Sequence, residues 1–447
     1  MNPRGTRVLR LDALARVEGE AALHLSVDGG SVTGTRLRIY EPPRFFEALL
    51  TGRGHTEPPD ITARICGICP VAYQMSACQA IENACGVLVD GPLAELRRLL
   101  YCGEWIESHA LHVYLLHAPD FLGLADVVEL ARHQRAAVER GLRLKQTGNA
   151  ILEQLGGRPI HPVNVRVGGF YRTPAPEELR PLAERLRQAL EDALETVRWV
   201  AAFTFPDARG DHDLLALRDP GRYAVDSGTP AVMSARADGP PPRGFPVAGF
   251  EEHVREGQVP HSTARTATLD GRRFLTGPLA RFALSGRWLH PAAAEAARAA
   301  GLGDPAGGAV CDNPYRSVVV RAVEIVHAVE EALRIIDGYV PPPRPAVEVP
   351  PREATGTGAT EAPRGLLYHR YDLARDGTLT GARIIPPTAQ NQAAIEEDVR
   401  RAVQSRLDRA GPAGDEELTH LCERAIRNHD PCISCAAHFL DLTVDRA

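Results

Sequence analysis

The sequence predicts an α+β fold, mainly helical, with small β elements near the N-terminus. Two contrasting patterns lead there. Residues 178–200 place Leu179, Leu182, Leu186, Leu190, Leu194 and Val197 at spacings of three and four, which is one face of a helix. Residues 20–40 instead read as a β-hairpin. The run AALHLSV alternates, Asp28, Gly29 and Gly30 supply a turn, and SVTGTRLRIY returns.

Segments near 71–86, 92–117, 123–155 and 315–338 carry a less regular form of the helical pattern. Two stretches rich in Pro and Gly are expected to be long loops: 236–262, around Gly239-Pro240-Pro241-Pro242, and 340–365, around Pro341-Pro342-Pro343. Long ordered loops often carry function. There is no internal repeat and no low-complexity tract.

The 447 residues suffice for one large core or two to three domains, and a hydrophobic share of 44% fits a globular chain. The net charge of −6 comes from acidic and basic residues mixed along the chain, with no long basic block for a nucleic acid to meet. No apolar run reaches the roughly 18 residues of a membrane span. The opening MNPRGTRVLRLDALARVEGE lacks the apolar core of a signal peptide, so the protein is expected to be cytoplasmic.

Nine cysteines stand at 66, 69, 78, 85, 102, 311, 422, 432 and 435. An odd number in a chain this long favours metal binding or catalysis over a disulfide framework. Cys66 and Cys69 form one Cys-x-x-Cys pair, in Arg64-Ile65-Cys66-Gly67-Ile68-Cys69-Pro70. Cys432 and Cys435 form another, in Asp430-Pro431-Cys432-Ile433-Ser434-Cys435-Ala436-Ala437-His438. A tight turn or helix start can aim both sulfurs of such a pair at one ion, and backbone N–H groups there favour the thiolate. Four thiolates make a soft site, suited to zinc, iron–sulfur clusters or nickel. Zinc ribbons usually separate their pairs by about 15–20 residues. Here more than 360 intervene, which weakens the zinc reading without excluding it. The other five cysteines read as small buried hydrophobes.

The wording around the pairs resembles the large subunits of nickel–iron hydrogenases. RICGICP and DPCxxCxxH are similar to that family's two signatures. Around and between them, in family order, lie Ala15-Arg16-Val17-Glu18-Gly19-Glu20, Phe46-Glu47-Ala48-Leu49-Leu50-Thr51-Gly52-Arg53, Leu116-His117-Ala118-Pro119-Asp120-Phe121, Glu361-Ala362-Pro363-Arg364-Gly365, and Pro387-Thr388 with Asn391. Each element is weak alone; the ordered set covers nearly the whole chain. The resemblance implies the family's large, mostly helical fold as a single domain over 1–447, with 439–447 a possible processing tail.

It also implies roles. Cys66 and Cys432 would be terminal nickel ligands, and Cys69 and Cys435 would bridge nickel and iron. Iron would carry carbon monoxide and cyanide. Glu47 and His438 would hold magnesium; a hard carboxylate suits that ion. Cys432 and Arg364 are candidate bases for heterolytic splitting of dihydrogen. Arginine is ordinarily always protonated, so Arg364 ranks as a positioning and electrostatic group, held by Asp120 and Asp430. Glu18 is the first proton relay. Plainer readings stand beside these: Glu18 as a hairpin-surface charge, Glu47 as a solvated helix residue, Arg364 and Asp120 as a structural ion pair, and His161 as structural support. One position departs from the family. Tyr73 stands where a histidine usually follows the first pair, which changes how a bridging cysteine sulfur is hydrogen-bonded.

Nothing after the four ligands looks like an electron wire, and no G-x-G-x-x-G motif is evident. The expected partners are therefore an iron–sulfur small subunit with, beyond it, diaphorase-type subunits binding a nicotinamide or deazaflavin, as in the soluble bidirectional cytoplasmic group. A maturation endopeptidase is implied for the tail. Two rivals remain: a dihydrogen sensor with the same site, and the related non-catalytic subunit of respiratory NADH:quinone oxidoreductases, which lacks the paired cysteines.

Overall fold

The computed structural model describes residues 7–235, 239 and 241–437. The principal helices are α1 (Phe46–Leu50), α2 (Pro70–Cys85), α3 (Gly91–Leu111), α4 (Arg135–Gly156), α5 (Pro176–Ala201), α6 (Pro278–Ser285), α7 (Ser317–Asp337), α8 (Pro387–Ala410), α9 (Asp415–Arg427) and α10 (Ile433–Ala436). The α+β expectation holds. The 123–155 segment breaks at Gln134 into a short helix, Val127–His133, and α4. The last turn of the 92–117 segment widens to a π-helix over His112–His117. Leucines predicted to share a face do so: Leu179, Leu182 and Leu186 are buried, in one core with Leu144 and Ile151 of α4, Trp105 of α3 and Val318 of α7.

At the N-terminus, β2 (Ala21–Asp28) and β3 (Ser31–Ile39) pair antiparallel, with Ala21 opposite Ile39. A strand the sequence reading did not find, β1 (Arg7–Leu11), adds to the other edge of β2. Period-two alternation turns Leu23, Leu25, Leu37 and Ile39 to one face. That face is buried against Ile395, Val399 and Val403 of α8 and Leu418 and Cys422 of α9. The start of the chain is thereby packed on its end, which brings residue 18 to residue 432.

Strands are not confined to the N-terminus. β4 (Asp213–Arg218), β5 (Thr229–Ser234), β6 (Arg243–Gly244) and β9 (Phe274–Leu275) form a sheet in the order β9-β4-β5-β6, and β7 (Val254–Gln258) pairs with β8 (Arg265–Leu269). The expected loop 236–262 therefore contains β6, β7 and a helical turn at Phe250–His253. The expected loop 340–365 is corrected more sharply. Its second half is β10 (Ala354–Ala362), which pairs with β11 (Gly365–Leu373) and through it with β12 (Leu379–Ile385). Glycine there marks close approach, not a turn. A Cβ on Gly356 would lie 2.1 Å from the Ala80 carbonyl of α2, and one on Gly358 would lie 2.6 Å from that of Ser76.

Among the described residues no helix is long and apolar enough to cross a membrane. His438 and the tail 439–447, with the strand pairing its alternation suggests, lie outside the described residues.

Candidate metal centre

The two cysteine pairs converge. Sγ atoms of Cys66, Cys69, Cys432 and Cys435 all lie within 4.8 Å of one another, and all four residues are buried. Cys66 is 3.5 Å from Cys432, and Cys69 is 3.8 Å from Cys435. Four thiolates about 2.3 Å from one tetrahedral ion would stand about 3.8 Å apart. The spacing therefore fits metal ligation, and none of the nine described cysteines is in a disulfide.

The N-terminal pair is set by a turn running into a helix. The Cys66 sulfur accepts N–H bonds from Ile68 and Cys69, each at 3.3 Å. Cys69 occupies the N-cap of α2 but makes no side-chain cap. Glu104 of α3 does that work instead, accepting from the Val71 N–H at 2.6 Å and the Ala72 N–H at 3.2 Å. Hydrogen bonds from the other three sulfurs, that of Cys432 foremost, hold the Cys66 thiol well below its ordinary pKa.

The C-terminal pair is held by distant parts of the chain. Asp430 has φ of +49° and turns the backbone into Pro431 and Cys432. The Cys432 N–H donates to Thr388 Oγ1 at 2.9 Å. Its thiol donates to Glu18 Oε2 at 3.0 Å, the same oxygen that accepts the Ser434 N–H at 3.1 Å. The Ile433 N–H completes the contact by donating to the Glu18 carbonyl at 3.0 Å. Only glycine fits after Glu18: Gly19 has φ of +85°, and a Cβ there would sit 2.7 Å from the Ile433 Cβ. Burial foremost, with the neighbouring sulfurs, pushes the Cys432 thiol well up.

Arg364 occupies the two-residue turn between β10 and β11, and its side chain is buried. Nε donates to the Asp430 carbonyl at 2.9 Å and Nη2 to the Asp430 carboxylate at 3.3 Å. Nη1 has no hydrogen-bond partner among the described residues. Burial alone would lower the Arg364 pKa; Asp430 first, then the sulfurs of Cys432, Cys69 and Cys66, outweigh it, so the guanidinium stays charged. Asp120 does not hold Arg364 as expected. Its carboxylate is taken by Arg427, at 2.7 and 2.9 Å, and by Arg16 at 2.5 Å. Asp120 thus ties the segment before Glu18 to the end of α9, since Arg427 also donates to the Ala15 carbonyl at 2.7 Å.

Glu47, half-buried on α1, accepts the Ile384 N–H at 2.8 Å. Nearby Glu256 is pushed up to about 7, by burial first and in part by the charge of Glu47. His161 Nδ1 donates to the Ala63 carbonyl at 2.8 Å, bracing the approach to Cys66. Tyr73 is buried on α2 beside Cys435; burial, then the charges of Cys435, Cys69 and Cys432, push its phenol well up.

Sequence reasoning missed three residues. Arg44 clasps both pairs, donating to the Ile65 carbonyl before Cys66 at 2.7 Å and to the Ser434 carbonyl between Cys432 and Cys435. Arg281 of α6 shapes the turn that carries Arg364, donating to the carbonyls of Ala362 and Pro363, each at 2.9 Å. Glu41 accepts from the Ser434 hydroxyl at 2.9 Å. None stands in a motif; only the two cysteine signatures, read as touching each other, hint at a clasp.

Comparison with known proteins agrees with this geometry. Residues 44–148 and 318–438 match the family model described as nickel-dependent hydrogenase. The alpha chain of sulfhydrogenase 1 from Pyrococcus furiosus is 32% identical, over 97% of this chain and 98% of its own. The corresponding chain of the F420-non-reducing hydrogenase from Methanothermobacter marburgensis is 27% identical, over 97% and 95%. A chain of an NAD+-reducing NiFe-hydrogenase in the H2-reduced state superposes with a TM-score of 0.87 at 27% identity, covering 97% of this chain and 99% of that one.

Proposed function

The chain belongs to the nickel-dependent hydrogenases and is the catalytic large subunit of one; from that premise we propose how its residues divide the work. The carrying observation is the cluster of four buried sulfurs assembled from both ends of the chain. Cys66 and Cys432 would hold nickel, and Cys69 and Cys435 would hold it together with an iron that carries carbon monoxide and cyanide. When bound, this pair supplies a soft electrophile at which dihydrogen is polarised and from which electrons leave.

The protein's own groups handle charge and protons. Glu18 takes the proton from the Cys432 sulfur across the 3.0 Å contact. On the same side, the Ser434 hydroxyl donates to Glu41, a second carboxylate near this relay. Arg364 stays protonated beside the sulfurs, and its free Nη1 is a donor for a small anionic ligand such as cyanide. Burial of all four cysteines keeps bulk water from the cluster. Glu47, with Glu256 behind it, marks the magnesium site; His438 is assigned there on the resemblance. Exposed Ile160, Val163 and Tyr171 around His161 form the face for an iron–sulfur small subunit, close to the segment entering Cys66. Diaphorase-type subunits using a nicotinamide or deazaflavin lie beyond it, in a cytoplasmic complex.

Purified active complex should contain about one nickel per copy of this chain, with infrared bands of iron-bound carbon monoxide and cyanide. Zinc alone, without those bands, overturns the reading. Dye reduction under dihydrogen separates an enzyme from a sensor. Intact mass of the active complex tests the endopeptidase: a chain ending at His438 supports processing, and a nickel-loaded, fully active chain ending at Ala447 refutes it.

A further inference from the structure

Two buried carboxyls near the Cys66/Cys69 arm are unused by the route just described. We propose that Glu104 and Glu107 of α3 form a second proton route, leaving the metal cleft on the α2 side and reaching solvent beside Lys145 of α4. It rests on the hydrogenase reading for the source of its protons, and on geometry for its path.

Glu104 is fully buried, with its carboxylate on the first N–H groups of α2, immediately after Cys69. Glu107 is one turn along the same helix face, 5% exposed, and accepts from Lys145 Nζ at 2.9 Å. Lys145 has 29% of its side chain exposed, so the line runs from interior to surface. A cap does not require this chemistry: an amide oxygen would accept the same two N–H bonds, and a buried Glu–Lys pair gains little over an apolar one. Two carboxyls one turn apart in a dry interior are costly unless at least one of them holds a proton.

The charges around Glu107 suit it to that task. Burial pushes it up to about 7, against the pull of Lys145 from α4 and Arg364 from the β10–β11 turn and with the push of Cys66. Burial foremost, with Glu107 and Cys66 adding to it, pushes Glu104 well above the carboxylate range. Both carboxyls are thus held above the ordinary carboxylate range, Glu107 at about 7. One proton moves per event and no electrons. The O–H bond of Glu104 breaks as that of Glu107 forms, an S–H bond of the cluster breaks to reprotonate Glu104 and leaves the thiolate, and Glu107 releases its proton to water while Lys145 keeps its charge.

The test uses the complete complex carrying Glu107→Gln, Lys145→Met, Glu18→Gln, or the Glu18→Gln/Glu107→Gln double change, each first checked for unchanged nickel content. Infrared difference spectra against pH should show a protonated carboxyl with a midpoint near 7. It should be absent in Glu107→Gln and shifted to higher pH in Lys145→Met, which removes the cation that favours the carboxylate. Dihydrogen/deuteron exchange in Glu18→Gln should fall roughly 100-fold yet persist, and the double variant should lose about a further tenfold. If the double variant matches Glu18→Gln, or Glu107→Gln leaves the carboxyl band in place, the second route is refuted. Wild-type exchange in Glu18→Gln would instead refute the Glu18 route, whatever the infrared result. Should Glu107→Gln fail to retain nickel, the Lys145→Met shift alone decides.

Discussion

The two cysteine pairs have the same spacing and opposite support. The Cys66/Cys69 arm is local. Its turn satisfies Cys66 with its own N–H groups, and it continues into sixteen residues of α2 capped by Glu104. The Cys432/Cys435 arm has only the four-residue helix Ile433–Ala436, which contains Cys435, and is held by Glu18, Arg44, Thr388 and Arg364, all from elsewhere. A locally determined arm can exist before the other arrives. The C-terminal arm has its geometry only when the start of the chain lies against it. The difference suits a site that must stay open for metal loading and then close, with the C-terminal arm closing last.

The largest test of that difference is removal of a sulfur from the closing arm. Cys435→Ala should abolish assembly of the bimetallic site: nickel per chain near zero, and no carbon monoxide or cyanide bands in the purified protein. A nickel-loaded, active Cys435→Ala complex would show that the arms are not jointly required. Next in size is Glu18→Gln, which keeps the contacts to Ser434 but cannot carry a proton. Exchange should fall about 100-fold, while para-to-ortho hydrogen conversion at the metals survives.

The same contrast governs what the sequence revealed. Cys66, Cys69, Cys432 and Cys435 were legible as a soft metal site because residue type and spacing together specify that chemistry, whereas Glu18 came only with the family resemblance. The helical face at 179–197 was legible because its period is internal to the segment. Arg44 was not, because its partners on the C-terminal arm lie 390 residues away and a lone arginine has no period. Asp120 was given the wrong partner, since a motif does not state which of several arginines takes the carboxylate. β10 was read as loop because glycine's two meanings, turn and close approach, look alike until α2 is in place.

Arg44 gives the third test. Arg44→Met keeps much of the stem but removes the donors that join the Ile65 and Ser434 carbonyls. Hydrogen bonds from charged donors contribute about 1.5–3 kcal/mol each, but the neighbouring Thr388 and Glu18 contacts remain. Nickel retention during dialysis against chelator should therefore fall about tenfold without loss of folding, as followed by circular dichroism. Retention equal to wild type would mean that the arms do not need the clasp.

The smallest effect should come from Tyr73, which lies on the local arm but faces the sulfur of the closing one. Burial beside Cys435 makes its phenol a poor acid and leaves its hydroxyl as a donor towards thiolate charge. A donor withdraws electron density from a ligand sulfur, so Tyr73→Phe should leave the sulfur richer and the bound metals harder to reduce. A neutral hydrogen bond is worth about 1 kcal/mol net, which for one electron is on the order of 40 mV. The potential should move negative by about that amount, and the carbon monoxide and cyanide bands should move to lower frequency. Turnover should stay within a few-fold, because no proton or ligand is lost. Tyr73→His, which restores a donor, should recover much of the shift. Unchanged bands and potential in Tyr73→Phe would show that the hydroxyl only fills space, and that tuning of the cluster belongs to the Arg364 side alone.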